Sequence, residues 1–235
     1  MAEPWGFFDK VYCISIAERS DRREQARRQF ADVGLLERVE FVIVPKHPEN
    51  SEKGIFDSHM LCLQKGLAAG ARHIMVFEDD VFFRNFDPHA LRAACAQLAK
   101  MDNWHGLFLG CITEGSRKTA AKSLVEITYR CLAHAYALHA SFAGRIIREE
   151  WNDIPFDELL RRNNADFFAI YPMIAFQGLC GSDNQTVMLE RLRNFFGGLP
   201  FIQRMNEWYQ NHKAFLLGVQ LTALLVLGAL TCTFW

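Results

Sequence analysis

No C-x-x-C pair and no Cys/His zinc spacing occurs among the seven cysteines, at positions 13, 62, 95, 111, 131, 180 and 232, and their odd count does not make a disulfide framework. They are expected to be buried small residues in a reduced compartment. An excess of positive charge is also missing. With 26 Lys and Arg against 27 Asp and Glu, the chain lacks the broad field that non-specific nucleic-acid binding needs, so no nucleic-acid partner is expected. The opening MAEPWGFFDK has no basic segment followed by an apolar stretch, so it does not read as a signal peptide. Neither an internal repeat nor a low-complexity linker interrupts the 235 residues. What is present is a chain that is 50% apolar with 20 Phe, enough to bury a real core in one α/β domain.

Short β-branched and aromatic runs alternate with helical patterns. Strands are expected at Lys10 to Ile16, Val39 to Val44, His73 to Phe77, Gly106 to Gly110, His134 to Leu138 and Phe167 to Tyr171. Between them, Ser20 offers an N-cap for a helix over about 21–33, and Asp57 or Ser58 one for a helix running to about Ala69, after a polar loop at 47–53. Asp87-Pro88 opens a further helix in the N-cap, N1 arrangement, and 142–151 reads as helical. This order predicts helices packed on a largely parallel sheet.

The C-terminal part differs. Ala214 to Trp235 carries no charged residue, and as a helix it would be roughly 33 Å long, enough to cross the hydrocarbon core. His212 and Lys213 precede it, with Trp208, Tyr209 and Trp235 where interfacial aromatics belong. The organisation expected is a globular domain at 1–198, a juxtamembrane amphipathic segment at 199–213 and a transmembrane tail anchor at 214–235. The positive-inside bias then places the domain on the cytoplasmic side. The alternative is a C-terminal helix of the domain itself.

The chemistry concentrates at Glu78-Asp79-Asp80, directly after the strand at 73–77. Ligands of open α/β sheets bind beyond the carboxyl ends of strands. In extended backbone Glu78 and Asp80 point to one side and Asp79 to the other. Two convergent carboxylates suit Mg²⁺ or Mn²⁺, which bind through one or two carboxylates plus substrate phosphate oxygens. By itself the triplet could equally be a solvated acidic turn capping the next helix.

Several stretches in one order resemble glycosyltransferase family 25, the lipooligosaccharide biosynthesis glycosyltransferases related to the procollagen galactosyltransferases. These are VYCISIAERSDRREQARRQF, GIFDSHMLCLQKGLAAGARHIMVFEDDVFF, HAYALHASFAGRII, FDELL and AIYPMIAFQ, across residues 10 to 185. The resemblance implies a GT-A-like (Rossmann-like) domain and a metal-dependent inverting enzyme. Such an enzyme moves a hexose, galactose favoured, from a UDP-sugar to a hydroxyl of a glycan or glycolipid acceptor. It implies Glu78 and Asp80 as metal ligands, with Asp79 beside them on the donor. Arg19, Arg22, Ser58 and His59 would complete the donor site. Ser15 stands where the family commonly has Asn.

An inverting transfer also needs a base. Asp183, in a Gly-Ser-Asp-Asn stretch, is the candidate, with Asp157 and Glu114 as others; each could instead be a cap or turn residue. Two further classes of function compete with the enzyme. One is a catalytically silent relative serving as a nucleotide-sugar-binding or assembly factor at a membrane. The other is a two-metal phosphodiester hydrolase, disfavoured because no second His/Asp cluster occurs.

Overall fold

A computed structural model of the chain describes residues 3–101, 103–163, 166–178 and 198–233. Its strands are β1 (Lys10–Ile16), β2 (Val39–Val44), β3 (His73–Glu78), β4 (Val81–Phe83), β5 (Gly106–Phe108), β6 (Ile112–Lys118), β7 (Leu124–Cys131), β8 (Ala135–His139), β9 (Phe167–Ile170) and β10 (Ala175–Gln177). Its helices are α1 (Ser20–Asp32), α2 (Ser51–Ala68), α3 (Pro88–Leu98), α4 (Ala140–Ile146), α5 (Phe156–Arg162) and α6 (Gly198–Thr233).

An eight-stranded sheet in the order β2-β1-β3-β8-β5-β9-β7-β6 forms the middle layer. It is a mixed, Rossmann-like sheet flanked by helices. The parallel character expected of it holds for β2-β1-β3 and for β5 with β9. β8 runs antiparallel between β3 and β5, and the β6–β7 hairpin is antiparallel to β9 through β7. That hairpin escaped the sequence reading because ITEGSRK presents one buried residue to the core and otherwise half-buried or exposed ones, too little apolar alternation to mark a strand.

Both faces of the sheet are covered, which explains why HIMVF is apolar throughout rather than alternating. With a side-chain period of two, Ile74 and Val76 face one core and Met75 and Phe77 the other. Helices α2, α4 and α5 close the first core through Phe56, Leu63, Phe142 and Phe156, while α1 and α3 close the second through Phe30 and Leu91. Gly66 of α2 is tight against β3: a Cβ there would lie 2.7 Å from the Ile74 side chain.

Two helix starts differ from expectation. Ser20 is the first helical residue of α1 behind Arg19, which makes no side-chain cap bond. Helix α2 begins at Ser51, because the Asn50 side chain accepts from Lys53 N at 3.0 Å; Ser58 and His59 therefore sit two turns inside the helix and are buried. Asp87 caps α3 as expected, accepting from His89 N at 2.8 Å with Pro88 in the first turn.

The C-terminal expectation is overturned. Among the described residues no helix is long and apolar enough to cross a membrane, so neither the transmembrane tail anchor at 214–235 nor the cytoplasmic-side placement derived from it stands. The helix containing the uncharged run starts at Gly198, and its first turns are bonded to the domain. Asn206 exchanges hydrogen bonds with the backbone of Thr113, Asn211 Oδ1 accepts from Ser116 Oγ, and Glu207 and Gln203 are buried. Within the segment at 199–213, expected along a membrane surface, Gln203, Asn206, Glu207 and Asn211 form the face of α6 docked against β6 and β10, while Phe201, Met205, Trp208 and Tyr209 are exposed.

Candidate functional site

The carboxyl ends of β1, β2 and β3 open onto a pocket between them and α2. It is lined by Ile14, Ile16 and Val44 from the strands, Pro45 to His47 after β2, Ser51, Gly54, Ile55, Ser58 and His59 of α2, Arg22, Gln177 and Glu78-Asp79-Asp80. Parallel strands present their carboxyl ends together, which is why a strand-terminal acid triplet lands beside the turn after β2 and the helix that follows it. Of the residues singled out from the sequence, Arg22, Ser58, His59, Glu78, Asp79 and Asp80 converge there.

The acids are poorly compensated for their burial. Asp79 Oδ2 and Asp80 Oδ1 are buried without a hydrogen-bond partner. Arg22 Nη1 stands 3.8 Å from Asp79 Oδ1 and 3.9 Å from Asp80 Oδ2, charge neighbours rather than hydrogen-bond partners. Gln177 Nε2 donates to Asp80 Oδ2 at 3.2 Å, and Gly178 N donates to the Asp80 carbonyl at 2.7 Å. Desolvation, reinforced by the charges of Asp157 and Asp79, pushes the Glu78 carboxyl up to about 8. Asp80 is pushed up to about 7 by desolvation and the Glu78 charge, against the pull of Arg22. Asp79 is raised by desolvation and held down by a hydrogen bond with Ser15 and by Arg22.

His59 is fixed on three sides. Its ring stacks on Phe156 at 4.3 Å, Nδ1 shares a 2.9 Å hydrogen bond with the Tyr136 hydroxyl, and Nε2 lies 3.4 Å from Glu78 Oε1. Burial depresses it to about 4, so the ring is neutral at pH 7. Ser58 Oγ donates back to Gly54 O at 2.6 Å, leaving its lone pairs as acceptors at the pocket wall.

Arg19 is not brought to the pocket. Its guanidinium is bonded to Asp21 at 3.1 and 3.2 Å, and its charge reaches Asp79 only through space. Asp183 lies outside the described residues. Of the other carboxylates considered as a base, Asp157 accepts from the Tyr129 hydroxyl at 2.8 Å and from Leu132 N at 2.9 Å, tying α5 to β7, and Glu114 pairs with Arg130 on an exposed stretch of β6. Both oxygens of Asp157 are engaged. Sequence reasoning missed Gln177, which ends the AIYPMIAFQ stretch, and the bracing pair Tyr136 and Phe156. A lone Gln or aromatic carries no spacing signal, so only the register of β10 against β4 reveals that Gln177 faces the acids.

Buried carboxylate oxygens without hydrogen-bond partners suit a hard divalent cation. Among the described residues, however, no group of three or more His, Cys, Asp or Glu is arranged to hold a metal by itself. A cation here would rely on phosphate oxygens of a bound substrate to complete its shell.

No protein-family profile matches the chain. A curated human protein named inactive glycosyltransferase 25 family member 3 is 26% identical over 185 residues, covering 65% of this chain. The alignment takes in 31% of that relative's length. Among solved structures, a mannose-1-phosphate geranyltransferase from Thermus thermophilus matches 70% of the chain and 75% of its own, with a TM-score of 0.40 and 10% identity. A glycosyltransferase involved in glycosylation of the major capsid of PBCV-1 matches 68% and 80%, with a TM-score of 0.40 and 9% identity.

Proposed function

We propose that the domain binds a nucleotide-diphosphate sugar in this pocket and acts as a metal-dependent inverting glycosyltransferase, moving a hexose from UDP, galactose favoured, to a hydroxyl of a glycan or glycolipid acceptor. The observation that carries the reading is the convergence of Arg22, Ser58, His59 and the Glu78-Asp79-Asp80 triplet on one pocket, with two carboxylate oxygens buried and without a partner. The 26% identity to a member of glycosyltransferase family 25 points the same way.

In this reading Asp80, with Glu78, would hold Mn²⁺ or Mg²⁺ together with the diphosphate. The cation, when bound, supplies charge stabilisation for the departing diphosphate. Arg22 adds a guanidinium beside the same oxygens, suited to a phosphate. Gln177 orients Asp80, and neutral His59 braces Glu78 from below through a ring that Phe156 and Tyr136 keep from rotating. Ile14, Ile16, Val44 and Ile55 give the same pocket its apolar lining. Asp183 is proposed as the base that accepts the acceptor's hydroxyl proton.

A second reading, a silent relative that binds the nucleotide-sugar without turning it over, is favoured by the word inactive in the relative's name. Calorimetric titration of the full chain with UDP and UDP-galactose, with and without Mn²⁺, tests both. Metal-dependent binding abolished by Asp80→Asn, followed by release of UDP in the presence of acceptor glycans, supports the enzyme. Binding without turnover across an acceptor panel supports the silent relative, and a folded protein that binds neither ligand sinks both.

A further inference from the structure

Among the described residues, strand β10 pairs on one side only, with β4. Its other edge therefore needs hydrogen-bond partners from elsewhere, since buried backbone groups left unpaired are costly. Ala175 N finds the Leu109 carbonyl at 3.0 Å. Two further backbone groups of this segment are met by side chains of α6. Gln203 Nε2 donates to the Ala175 carbonyl at 2.8 Å, and Met173 N donates to Glu207 Oε1 at 2.5 Å. Gln203 and Glu207 are one helical turn apart, so a single face of α6 reads the backbone of 173–175. Gly110 permits the approach, since a Cβ there would fall 1.8 Å from the Ala175 carbonyl oxygen and 2.7 Å from Gln203 Nε2.

The same short strand ends at the acids. Gln177 and Gly178, the two residues after Phe176, donate to the side chain and the carbonyl of Asp80 respectively. Hydrogen bonds at both ends of this short segment thus connect α6, through the backbone of β10, to Asp80. Gln203 is fully buried and Glu207 nearly so, with desolvation raising the Glu207 carboxyl. Apolar residues would have docked the helix without burying a carboxylate.

We infer that α6 is a working part of the acid site, with Gln203 and Glu207 as positioning residues that hold β10 so that Gln177 and Gly178 fix Asp80. The functional half of this inference rests on the donor-binding reading proposed above. The hydrogen-bond half does not.

The test compares variants of the full chain that undo different anchors of the same helix. Glu207→Leu and Gln203→Leu remove bonds to β10. Asn206→Leu removes the paired bonds to Thr113 of β6, which does not lead to the acids. Glu207→Gln keeps an acceptor for Met173 N. Amide exchange followed by NMR reports the segment 175–178, and titration with UDP plus Mn²⁺ reports the site. The expected result is at least tenfold faster exchange at Gly178 and at least fivefold weaker binding in Glu207→Leu and Gln203→Leu. Asn206→Leu should show neither effect despite a comparable loss of thermal stability, and Glu207→Gln should remain near wild type. Equal effects of Asn206→Leu and Glu207→Leu on Gly178 would overturn the inference, as would unchanged exchange in Glu207→Leu or unchanged binding in variants whose exchange has risen. If Glu207→Leu does not fold, Gln203→Leu carries the comparison. A wild type that binds no UDP with Mn²⁺ refutes the donor reading alone, and the exchange data then decide whether α6 holds the segment at Asp80.

Discussion

Metal-free stability should fall between pH 6.5 and 8, opposite to the behaviour of a carboxylate held by ion pairs. Unfolded Glu and Asp side chains titrate at their ordinary values of 4.5 and 3.8, whereas Glu78 and Asp80 in the fold are raised to about 8 and about 7. In the window between those values the native state holds protons that the unfolded state has lost. Stability therefore decreases as pH rises, by about 1.4 kcal/mol per pH unit for each such group. His59 and His134 act in the other sense. Their folded values of about 4 lie below the ordinary 6.5, so between pH 4 and 6.5 the unfolded state binds more protons and stability rises with pH. Below pH 6.5 the two His and the two acids oppose each other and their summed slope is small. Above it only the acids remain, and stability falls by about 2 kcal/mol by pH 8. That corresponds to a drop in Tm of about 4 to 8 °C for a chain of this size. The assay is urea and thermal unfolding in half-unit pH steps without divalent cations, on wild type and on the double variant Glu78→Gln, Asp80→Asn. The double variant should lose the decline above pH 6.5 and show, below it, the histidine-driven rise that the acids cancel in the wild type. A wild type flat from pH 6.5 to 8.5, or a double variant that declines equally, would refute the assignment of raised carboxyls to these two residues.

Gly110→Ala should destabilise the fold by about 3 kcal/mol or more, because the new Cβ meets a backbone carbonyl that α6 and Leu109 hold in place; a urea midpoint within error of wild type would contradict it. Asp87→Ala should cost about 1 kcal/mol through loss of the α3 cap, with an unchanged m-value in urea unfolding. Tyr129→Phe leaves the half-buried Asp157 with one of its two donors and should cost about 1 kcal/mol. Asp157→Asn should cost less than Tyr129→Phe if that carboxylate serves only as an acceptor, and differential calorimetry of the two variants would separate the cases.

Much of the architecture was legible because the burial pattern writes itself into residue type. Runs such as KVYCISI and HIMVF are apolar at nearly every position because helices cover both faces of the sheet, and β1 and β2 occupy the expected bounds. Asp87-Pro88 announced α3 through local backbone chemistry alone. The start of α2 was misplaced because Asn50, a cap inside a polar stretch with proline, looks like a loop residue until Lys53 N is seen to donate to it. The uncharged C-terminal run suggested a separate anchor because a window of hydropathy takes no account of the polar turns preceding it, which bind α6 to β6 and β10.

For the site, a strand followed by three acids specified chemistry and position along the chain, since the ends of parallel strands lie at one edge whatever the details of packing. Arg22 and Arg19 could not be told apart by proximity to the end of β1. One lies across Asp79 and Asp80, while the other closes on Asp21. The sequence alone determined which side chains could carry charge and coordination, because those properties are local and covalent. Only the tertiary structure decided that His59 would be neutral, that Glu78 and Asp80 would resist ionisation, and that Gln177, Gln203 and Glu207 would belong to the same site. Desolvation and hydrogen-bond partnership arise from elements far apart in the chain, which no stretch of sequence contains by itself.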